Sequence, residues 1–368
     1  MSVDIGIIGF PKSGRTTVFN ALTHGTANTG VYTAEAKSPH IGIAKVPDPR
    51  LTALADLFHP RKVVPAEARY VDIGASVRDM SGEHGIGGEL LNQLSNAAAL
   101  FHVVRAFRDE SIPHIEGGLD TGRDIANMEL ELAFSDMAII ERRLKRIEDS
   151  LKGAKTTERQ GLLREQDLLG RLNSGLENSV PIREMKLEAE ESKSIANYQF
   201  LTAKPMLIVF NVDEEQLTQP EFSESALCPR HARCNCNVIT LCGELEMELA
   251  QLDENEACEM RSSFGIAEPG LERTIRLSYS LLGLVSFFTV GPDEVRAWPI
   301  RKDTSALKAA GKIHSDIERG FIRAEVISYE ELMNCGSLPE ARKKGLLRLE
   351  GKKYTVQDGD IINFLFNI

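Results

Sequence analysis

A glycine-rich loop near the beginning of the chain constrains the fold more than any other feature of the sequence. It reads Gly9-Phe10-Pro11-Lys12-Ser13-Gly14-Arg15-Thr16 and lies between an apolar run at residues 3–10 and a helical pattern at residues 16–22. In a strand, loop and helix of this kind, backbone N–H groups curl around a phosphate, and the helix directs its positive end at the same anion. The loop therefore predicts an α/β domain with a phosphate site, although a tight turn without a ligand would also use these glycines.

The side chains of this loop predict the contacts that a bound nucleotide would make. Thr16 carries a hydroxyl placed to ligate Mg²⁺, while Lys12 and Arg15 would neutralise charge that develops on the phosphates. A loop of this kind normally carries lysine where this chain has Arg15, and a guanidinium is bulkier than an ammonium. We therefore expect hydrolysis to be affected more than binding. The predicted nucleotide contacts in the loop are Gly9, Pro11, Lys12, Ser13, Gly14, Arg15, Thr16 and Thr17.

Two further polar motifs follow apolar runs, as expected for buried parallel strands whose carboxyl ends carry the chemistry. Asp72 comes at the end of the first run, where its carboxylate would hold Mg²⁺ through water. The second run leads into Asn211-Val212-Asp213-Glu214, where guanine-specific folds carry Asn-Lys-x-Asp. Glu214 is one methylene longer than the aspartate of that motif, so we expect weaker selection of guanine and admission of adenine. Taken singly, each motif could equally be a polar cap at a strand-to-loop turn.

The middle of the chain has a helical pattern. Apolar residues recur at intervals of three and four from residue 130 to residue 151, and residues 158–176 show a similar pattern. We therefore expect a helical coiled-coil hairpin inserted into the sheet domain, followed by a third helix at residues 183–198. Its apolar seam could bind a protein partner, although such a seam is usually the core of the hairpin. Beyond residue 291, short apolar runs separated by glycines predict a small mixed α+β domain.

Length and charge narrow the classes of partner. With 368 residues the chain is long enough for two or more domains, and its net charge of −11 argues against nucleic-acid binding over the whole surface. Residues 296–368 carry 13 Lys and Arg against 10 Asp and Glu, so residues 1–295 carry the remaining 30 against 44. The C-terminal part could therefore face RNA, although ordinary surface charge explains the count equally well. We expect a monomer that does not bind DNA.

Apolar runs and cysteines predict the location of the protein. The longest apolar run, at residues 281–290, is shorter than the about 20 residues of a membrane-spanning helix, so we expect no membrane partner. The six cysteines form no disulfide framework of a secreted protein, which indicates the reducing cytoplasm. Cys228, His231, Cys234 and Cys236 resemble a zinc knuckle. Their spacing is not a standard ligand pattern, so we prefer reduced thiols in a surface loop.

Several motifs together resemble those of the YchF group of Obg-related P-loop nucleotidases. The motifs are residues 9–23, 46–51, 101–107, 211–214 and 354–362, and the resemblance extends over nearly the whole chain. It implies an α/β fold: a P-loop NTPase G domain at residues 1–125 and 202–285, an inserted helical coiled-coil hairpin at 126–201, and a C-terminal β-grasp TGS domain at 286–368. It also implies Mg²⁺-dependent binding and hydrolysis of ATP in preference to GTP, and association with the ribosome or structured RNA.

The chain departs from the pattern of this family within the predicted site. The family has asparagine where this chain has Lys12, whose ammonium could stand in for a monovalent cation beside the phosphates. The glycine that would meet the γ-phosphate is displaced by one position, to Gly74. His84 could orient the attacking water, and Thr33 falls near where a switch threonine would cover Mg²⁺. Cys242-Gly243 resembles the second base-contacting loop of the family.

Two interpretations of the function follow. In the first, the chain is a slow ATPase, or GTPase, that acts as a ribosome-associated nucleotide switch. In the second, it senses nucleotide or binds RNA or the ribosome without hydrolysis, because Arg15 replaces the lysine and Gly74 is displaced. The residues assigned to catalysis are Arg15, Lys12 and His84, those assigned to the metal are Thr16, Asp72 and Thr33, and those assigned to the base are Asn211, Val212, Glu214, Cys242 and Gly243.

Overall fold

The chain divides into two compact units. The computed structural model describes residues 4–25, 40–73, 88–109, 118–231, 236–266 and 268–367, without the side chains of residues 88–89 and 228–231. The first unit comprises Met1–Ile43 and Arg69–Thr274, and the second comprises Ala44–Ala68 and Ile275–Ile368. Residues 44–68 thus group with the C-terminal part of the chain, although the sequence-based division assigned them to the G domain. The division into three domains at residues 125, 201 and 285 stays a prediction.

A six-stranded sheet carries the predicted phosphate loop. Its strands are β1 (Asp4–Ile8), β2 (His40–Lys45), β4 (Glu67–Asp72), β5 (Ala99–Arg105), β6 (Met206–Asn211) and β7 (Cys236–Leu241), in the order β2-β4-β1-β5-β6-β7. β1 pairs in parallel with β4 and β5, and β6 pairs in parallel with β5 and β7. Ile7 lies opposite Asp72 in this register, so the end of β4 comes beside the loop that follows β1.

The helices of the first unit pack on this sheet through apolar faces. Their bounds are α1 (Arg15–Thr23), α3 (Gly88–Asn96), α7 (Glu224–His231), α8 (Gly243–Leu249) and α9 (Glu254–Ser263). The next helix, α10 (Gly270–Leu281), begins in the first unit and ends in the second, because the division falls between Thr274 and Ile275. One core joins Leu94 of α3 and Leu245 of α8 to strand residues such as Leu100 and Phe210. Because β5 and β6 are buried on both faces, their sequences are nearly continuous apolar runs.

Two long helices form the predicted hairpin. They are α4 (Thr121–Leu151) and α5 (Thr156–Glu177), and their buried residues Ile140, Ile147 and Leu169 share one core. Leu130 lies outside this core with 40% of its surface exposed, so the apolar seam is shorter than the sequence pattern predicts. The third helix is also shorter than expected. It is α6 (Ala189–Ile195), which begins where the Glu188 side chain and that of Glu191 form a capping box.

The second unit contains a mixed six-stranded sheet. Its strands are β3 (Lys62–Val64), β8 (Leu284–Val290), β9 (Glu294–Arg301), β10 (Phe321–Ser328), β11 (Arg348–Glu350) and β12 (Asp360–Phe366), in the order β11-β10-β12-β8-β9-β3. Its helices are α2 (Pro49–Phe58), α11 (Ala306–Ile313), α12 (Ser315–Arg319), α13 (Tyr329–Cys335) and α14 (Leu338–Lys343). Phe287 stacks on Trp298 and meets Phe364 edge-on in the core. Across the described ranges, no helix is long and apolar enough to cross a membrane.

Candidate nucleotide-binding site

The loop between β1 and α1 has the backbone that its glycines predict. Gly14 precedes α1 with φ 82°, a left-handed conformation that glycine adopts without strain. A Cβ atom at Gly14 would lie 2.1 Å from Nδ2 of Asn211, and one at Gly9 would lie 2.6 Å from the carbonyl oxygen of Val103. Both positions therefore require glycine because other parts of the chain approach the loop closely. Lys12 also has a positive φ, of 68°, which is uncommon for a residue with a side chain.

Asn211 holds the loop from the end of β6. Its Nδ2 donates to the carbonyl oxygen of Ser13 at 3.0 Å, and its Oδ1 accepts from the backbone N–H of Gly243 at 2.9 Å. Only 5% of Asn211 is exposed. One buried amide thus joins the phosphate loop to the loop before α8, and these two loops are the ones predicted to contact phosphate and base.

The neighbours of Asn211 differ in what they offer to a ligand. Val212 packs into the apolar core of the first unit, so its side chain is turned away from a base-reading position. Glu214 is exposed, whereas Asp213 is held by reciprocal hydrogen bonds with Gln216. Cys242 is buried, and burial raises the pKa of its thiol to about 11. Its thiol is therefore neutral near pH 7. The carboxylates of this group are Asp213 and Glu214, of which Glu214 is the more exposed.

Arg15 and Thr16 both contact Asp72. Nε of Arg15 donates to Oδ1 of Asp72 at 2.6 Å, and the Thr16 hydroxyl donates to Oδ2 at 3.0 Å. Nη1 of Arg15 donates to the carbonyl oxygen of Gly9 at 3.2 Å. Asp72 is 2% exposed, and Nδ1 of His40 lies 3.8 Å from its Oδ2. The buried carboxylate is thus paired with a guanidinium, although the sequence predicts that it faces a metal ion.

The donor set only partly suits Mg²⁺. A threonine hydroxyl and an aspartate are appropriate oxygen ligands for this ion. Both oxygens of Asp72, however, already accept hydrogen bonds, from Arg15 and from Thr16. Within the part of the chain that the structure describes, no cluster of three or more His, Cys, Asp or Glu could hold a metal. As these side chains lie, a directly coordinated Mg²⁺ would have to share the Asp72 carboxylate with the guanidinium of Arg15, whereas the predicted contact through water would leave that pair in place.

The whole chain is similar to proteins of known family. The chain is 40% identical over 370 residues to the ribosome-binding ATPase YchF of Bacillus subtilis (strain 168), with 100% of both chains covered. It is 38% identical over 368 residues to the protein of the same name from Haemophilus influenzae, again with 100% of both covered. The chain belongs to the YchF family. The YchF relationship confirms the resemblance inferred from the motifs of the sequence.

Structural comparison agrees with the YchF assignment. The structure of the Schizosaccharomyces pombe YchF GTPase matches with a TM-score of 0.86 at 30% identity, covering 99% of this chain and 98% of that chain. Residues 284–367 match the YchF-GTPase_C family model, described as a protein of unknown function (DUF933). The predicted α/β class with a P-loop NTPase fold is thereby confirmed.

Several residues predicted from the sequence fall between the described ranges. Thr33, Gly74, His84 and Cys234 lie outside the described residues. Cys228 and His231 belong to α7, whose last side chains also lie outside them. Cys236, by contrast, is buried in the apolar core at the start of β7. A metal site that uses Cys236 would need this thiol to leave the core, so its position favours reduced thiols over a zinc knuckle. The predicted surface loop is wrong for Cys236, which is buried in a strand.

An aromatic residue beside the loop was not predicted as part of the site. Phe107 follows β5, and its backbone N–H donates to the carbonyl oxygen of Asn211 at 2.9 Å. Its ring lies 3.7 Å from the position of a Cβ on Gly14, and the Arg105 guanidinium lies 4.6 Å from the ring centroid. The motif at residues 101–107 carried the resemblance to YchF proteins, but an aromatic residue after a strand gives no signal of its place beside a loop distant in sequence.

Proposed function

We propose that this chain binds a purine nucleoside triphosphate on the loop at residues 9–16, with ATP preferred over GTP, and hydrolyses it slowly while associated with the ribosome. The observation that carries the proposal is the hydrogen bonding of Asn211, which joins Ser13 to Gly243. A single buried amide brings the segment that would bind phosphate next to the segment that would bind the base. A tight turn without a ligand would not need this second connection.

The phosphates would be held mainly by backbone groups. The loop turns at Gly14 into the first turn of α1, whose free N–H groups and positive end attract an anion. Thr17 lies within this first turn, and Pro11, Lys12 and Ser13 form the preceding part of the loop. Lys12 and Arg15 would add positive charge where negative charge develops during hydrolysis. The proposed roles of Thr33 and His84 rest on the sequence alone.

The preference for adenine would follow from the end of β6. Guanine-specific folds place an aspartate where this chain has the longer, exposed Glu214, and a lysine where it has the buried Val212. Asn211 has one Nδ2 hydrogen that is not used by Ser13 and could donate to the purine edge. The backbone of Cys242 and Gly243 would border the same edge. Glu214 and Val212 do not favour guanine, so adenine is admitted. Because the relatives are named ATPases, we expect ATP to bind more tightly than GTP.

Calorimetric titration tests this proposal directly. We would titrate the full chain with ATP, GTP and their diphosphates, and expect the dissociation constant for ATP to be at least about fivefold lower than for GTP, or about 1 kcal/mol. The variant Glu214→Asp, which restores the shorter carboxylate, should narrow this ratio. A chain that binds no purine nucleotide would refute the proposal, and a preference for GTP would refute its base assignment.

A second candidate function is nucleotide sensing without hydrolysis. It is favoured by the contact between Arg15 and Asp72, which holds the guanidinium on the carboxylate. Because phosphoryl transfer depends mainly on how the charged groups are positioned, a guanidinium held there would not assist hydrolysis. Phosphate release by wild type and by Arg15→Lys separates the two functions. If the arginine prevents hydrolysis, the lysine variant should gain at least about tenfold, or about 1.4 kcal/mol in barrier. A hydrolysing wild type should lose activity or stay level.

Association with the ribosome is proposed from the relatives, whose names state ribosome binding. The excess of positive charge in residues 296–368 is compatible with a contact to RNA. Such a partner would place the protein in the cytoplasm, as the cysteines predict. Sedimentation of the chain with purified ribosomes, with ATP, with ADP and without nucleotide, tests this part. Failure to sediment with ribosomes in all three conditions would contradict it, whatever the titrations show.

A further inference from the structure

The Arg15 side chain contacts other groups of the protein. The lysine that is usual at this position of a phosphate loop reaches the phosphates instead. Its guanidinium donates to two acceptors, Asp72 through Nε and the Gly9 carbonyl oxygen through Nη1. Its side chain is 14% exposed, and that of Asp72 is 2% exposed. Lysine could not make this arrangement, because a single ammonium cannot present two donors in a fixed plane. The guanidinium therefore has a defined seat between β4 and the start of the loop.

This seat is where a metal ion would bind. In P-loop nucleotidases, the hydroxyl at the Thr16 position and the aspartate at the Asp72 position hold Mg²⁺. Here the Asp72 carboxylate has a positive charge 2.6 Å from Oδ1, and the Thr16 hydroxyl is on Oδ2. Mg²⁺ requires near-octahedral oxygen ligands and loses its water reluctantly. Bound directly, it would have to displace the guanidinium. Bound through water, as the sequence predicts, it would face a carboxylate whose charge is already neutralised by Arg15.

Displacing the guanidinium is unfavourable in the absence of another anion. A buried charge that loses its partner costs several kcal/mol, and Asp72 is among the most buried charged residues of the loop region. The remaining N–H groups on Nη2 have no protein acceptor among the described residues. They are donors that phosphate oxygens could occupy, since arginine forms paired hydrogen bonds with phosphate.

We infer that Arg15 takes the place of Mg²⁺ in this chain, so that nucleotide binding does not depend on the metal. The inference rests on the proposed nucleotide site and departs from the need for Mg²⁺ that the resemblance to the family implies. The guanidinium supplies positive charge to the phosphates while remaining paired with Asp72. Exchange of this residue for lysine, which leaves Asp72 without its guanidinium, should restore the dependence on Mg²⁺.

Nucleotide binding in Mg²⁺ and in EDTA tests the inference. We would measure the dissociation constants of ADP and of a non-hydrolysable ATP analogue by calorimetry, for wild type, Arg15→Lys and the matched control Arg164→Lys. Arg164 is exposed on α5. For wild type and control we expect a change of less than about threefold on removal of Mg²⁺, and for Arg15→Lys a weakening of at least about tenfold for the triphosphate.

The outcomes separate this inference from the proposed function. Wild type that binds nucleotide in Mg²⁺ but at least about tenfold more weakly in EDTA would overturn the inference and leave the proposed function standing. No binding under either condition would overturn both. If Arg15→Lys does not fold, as judged by circular dichroism, the wild-type comparison still decides, because it requires no variant. If Arg15→Lys and Arg164→Lys both bind nucleotide equally well with and without Mg²⁺, Arg15 is not the cause of the independence from Mg²⁺. That result would overturn the inference as well.

Discussion

Asn211 donates from Nδ2 to the carbonyl oxygen of Ser13 across 3.0 Å, so a side chain at the end of β6 fixes a loop that lies 198 residues earlier in the sequence. The same amide accepts from Gly243. Because both contacts are buried, the shape of the phosphate loop depends on Asn211 even when no ligand is bound.

The variant Asn211→Asp should destabilise the loop and weaken nucleotide binding. Aspartate keeps an acceptor for Gly243 but loses the donor to Ser13 and sets a carboxylate against a carbonyl oxygen. We expect a loss of about 2 kcal/mol in the free energy of unfolding and at least tenfold weaker ATP binding, measured by urea titration and calorimetry. Asn92→Asp, at an exposed position on α3, is the control. Equal effects of the two variants would contradict a special role for Asn211.

Two glycines with positive φ distinguish backbone strain from close approach. Gly14 has φ 82° and would place a Cβ 2.1 Å from Asn211 Nδ2, whereas Gly265 has φ 69° and no atom within 4 Å of that position. Gly14→Ala and Gly265→Ala should share the backbone cost of about 1 kcal/mol. Only Gly14→Ala should lose about 1–3 kcal/mol more from overpacking and release bound nucleotide. Thermal melts with and without ADP measure both effects. Similar melting temperatures for the two variants would contradict the close approach of Asn211 to Gly14.

The helical hairpin offers a matched pair of leucines on α5. Leu169 is fully buried in the hairpin core, whereas Leu163 is 44% exposed. Leu169→Ala should cost about 2–5 kcal/mol, and Leu163→Ala should change stability by no more than about 0.5 kcal/mol. Hydrogen exchange of the α4 and α5 amides, followed by mass spectrometry, would report the loss within the hairpin. An equal increase in exchange for both variants would mean that the hairpin core is not the one described.

His102 makes the first unit sensitive to acid. It lies in β5 between Leu100 and Val104, and neither ring nitrogen has a partner in the described part of the chain. Burial, with the positive charge of Arg183, lowers the pKa of His102 to about 3. Since the unfolded chain takes up this proton near the ordinary pKa of about 6.5, stability is complete above that pH and falls as the pH drops toward 3.

The variant His102→Leu measures this contribution. Between pH 7.5 and pH 5, protonation linked to His102 should lower the free energy of unfolding of the wild-type chain by about 2 kcal/mol. The variant lacks this group, so its free energy of unfolding should fall by about 2 kcal/mol less. At pH 7.5 the leucine should be neutral or stabilising, because it removes a buried polar group that lacks a partner. Urea titrations at the two pH values give both results. If the free energies of unfolding of wild type and variant fall by the same amount between the two pH values, His102 is not buried as a neutral histidine.

The sequence by itself determined the features that depend on local pattern. Glycines at positions 9 and 14 between an apolar run and a helical pattern predicted the phosphate loop, because backbone conformation and chain direction are encoded within a few residues. The recurrence of apolar residues at intervals of three and four positions predicted α4 and α5 for the same reason. The joint order of the motifs predicted the family and the α/β class, both of which the comparisons confirm.

Only the tertiary structure decided how distant residues meet. The sequence presents Arg15 as an altered phosphate ligand, but its pairing with Asp72 depends on the register of β1 and β4. The grouping of residues 44–68 with the C-terminal unit likewise follows from the pairing of β3 with β9, which no local pattern specifies. Hydrogen bonds and ion pairs between residues far apart depend on where the packed core brings the chain, and that position is a property of the whole fold.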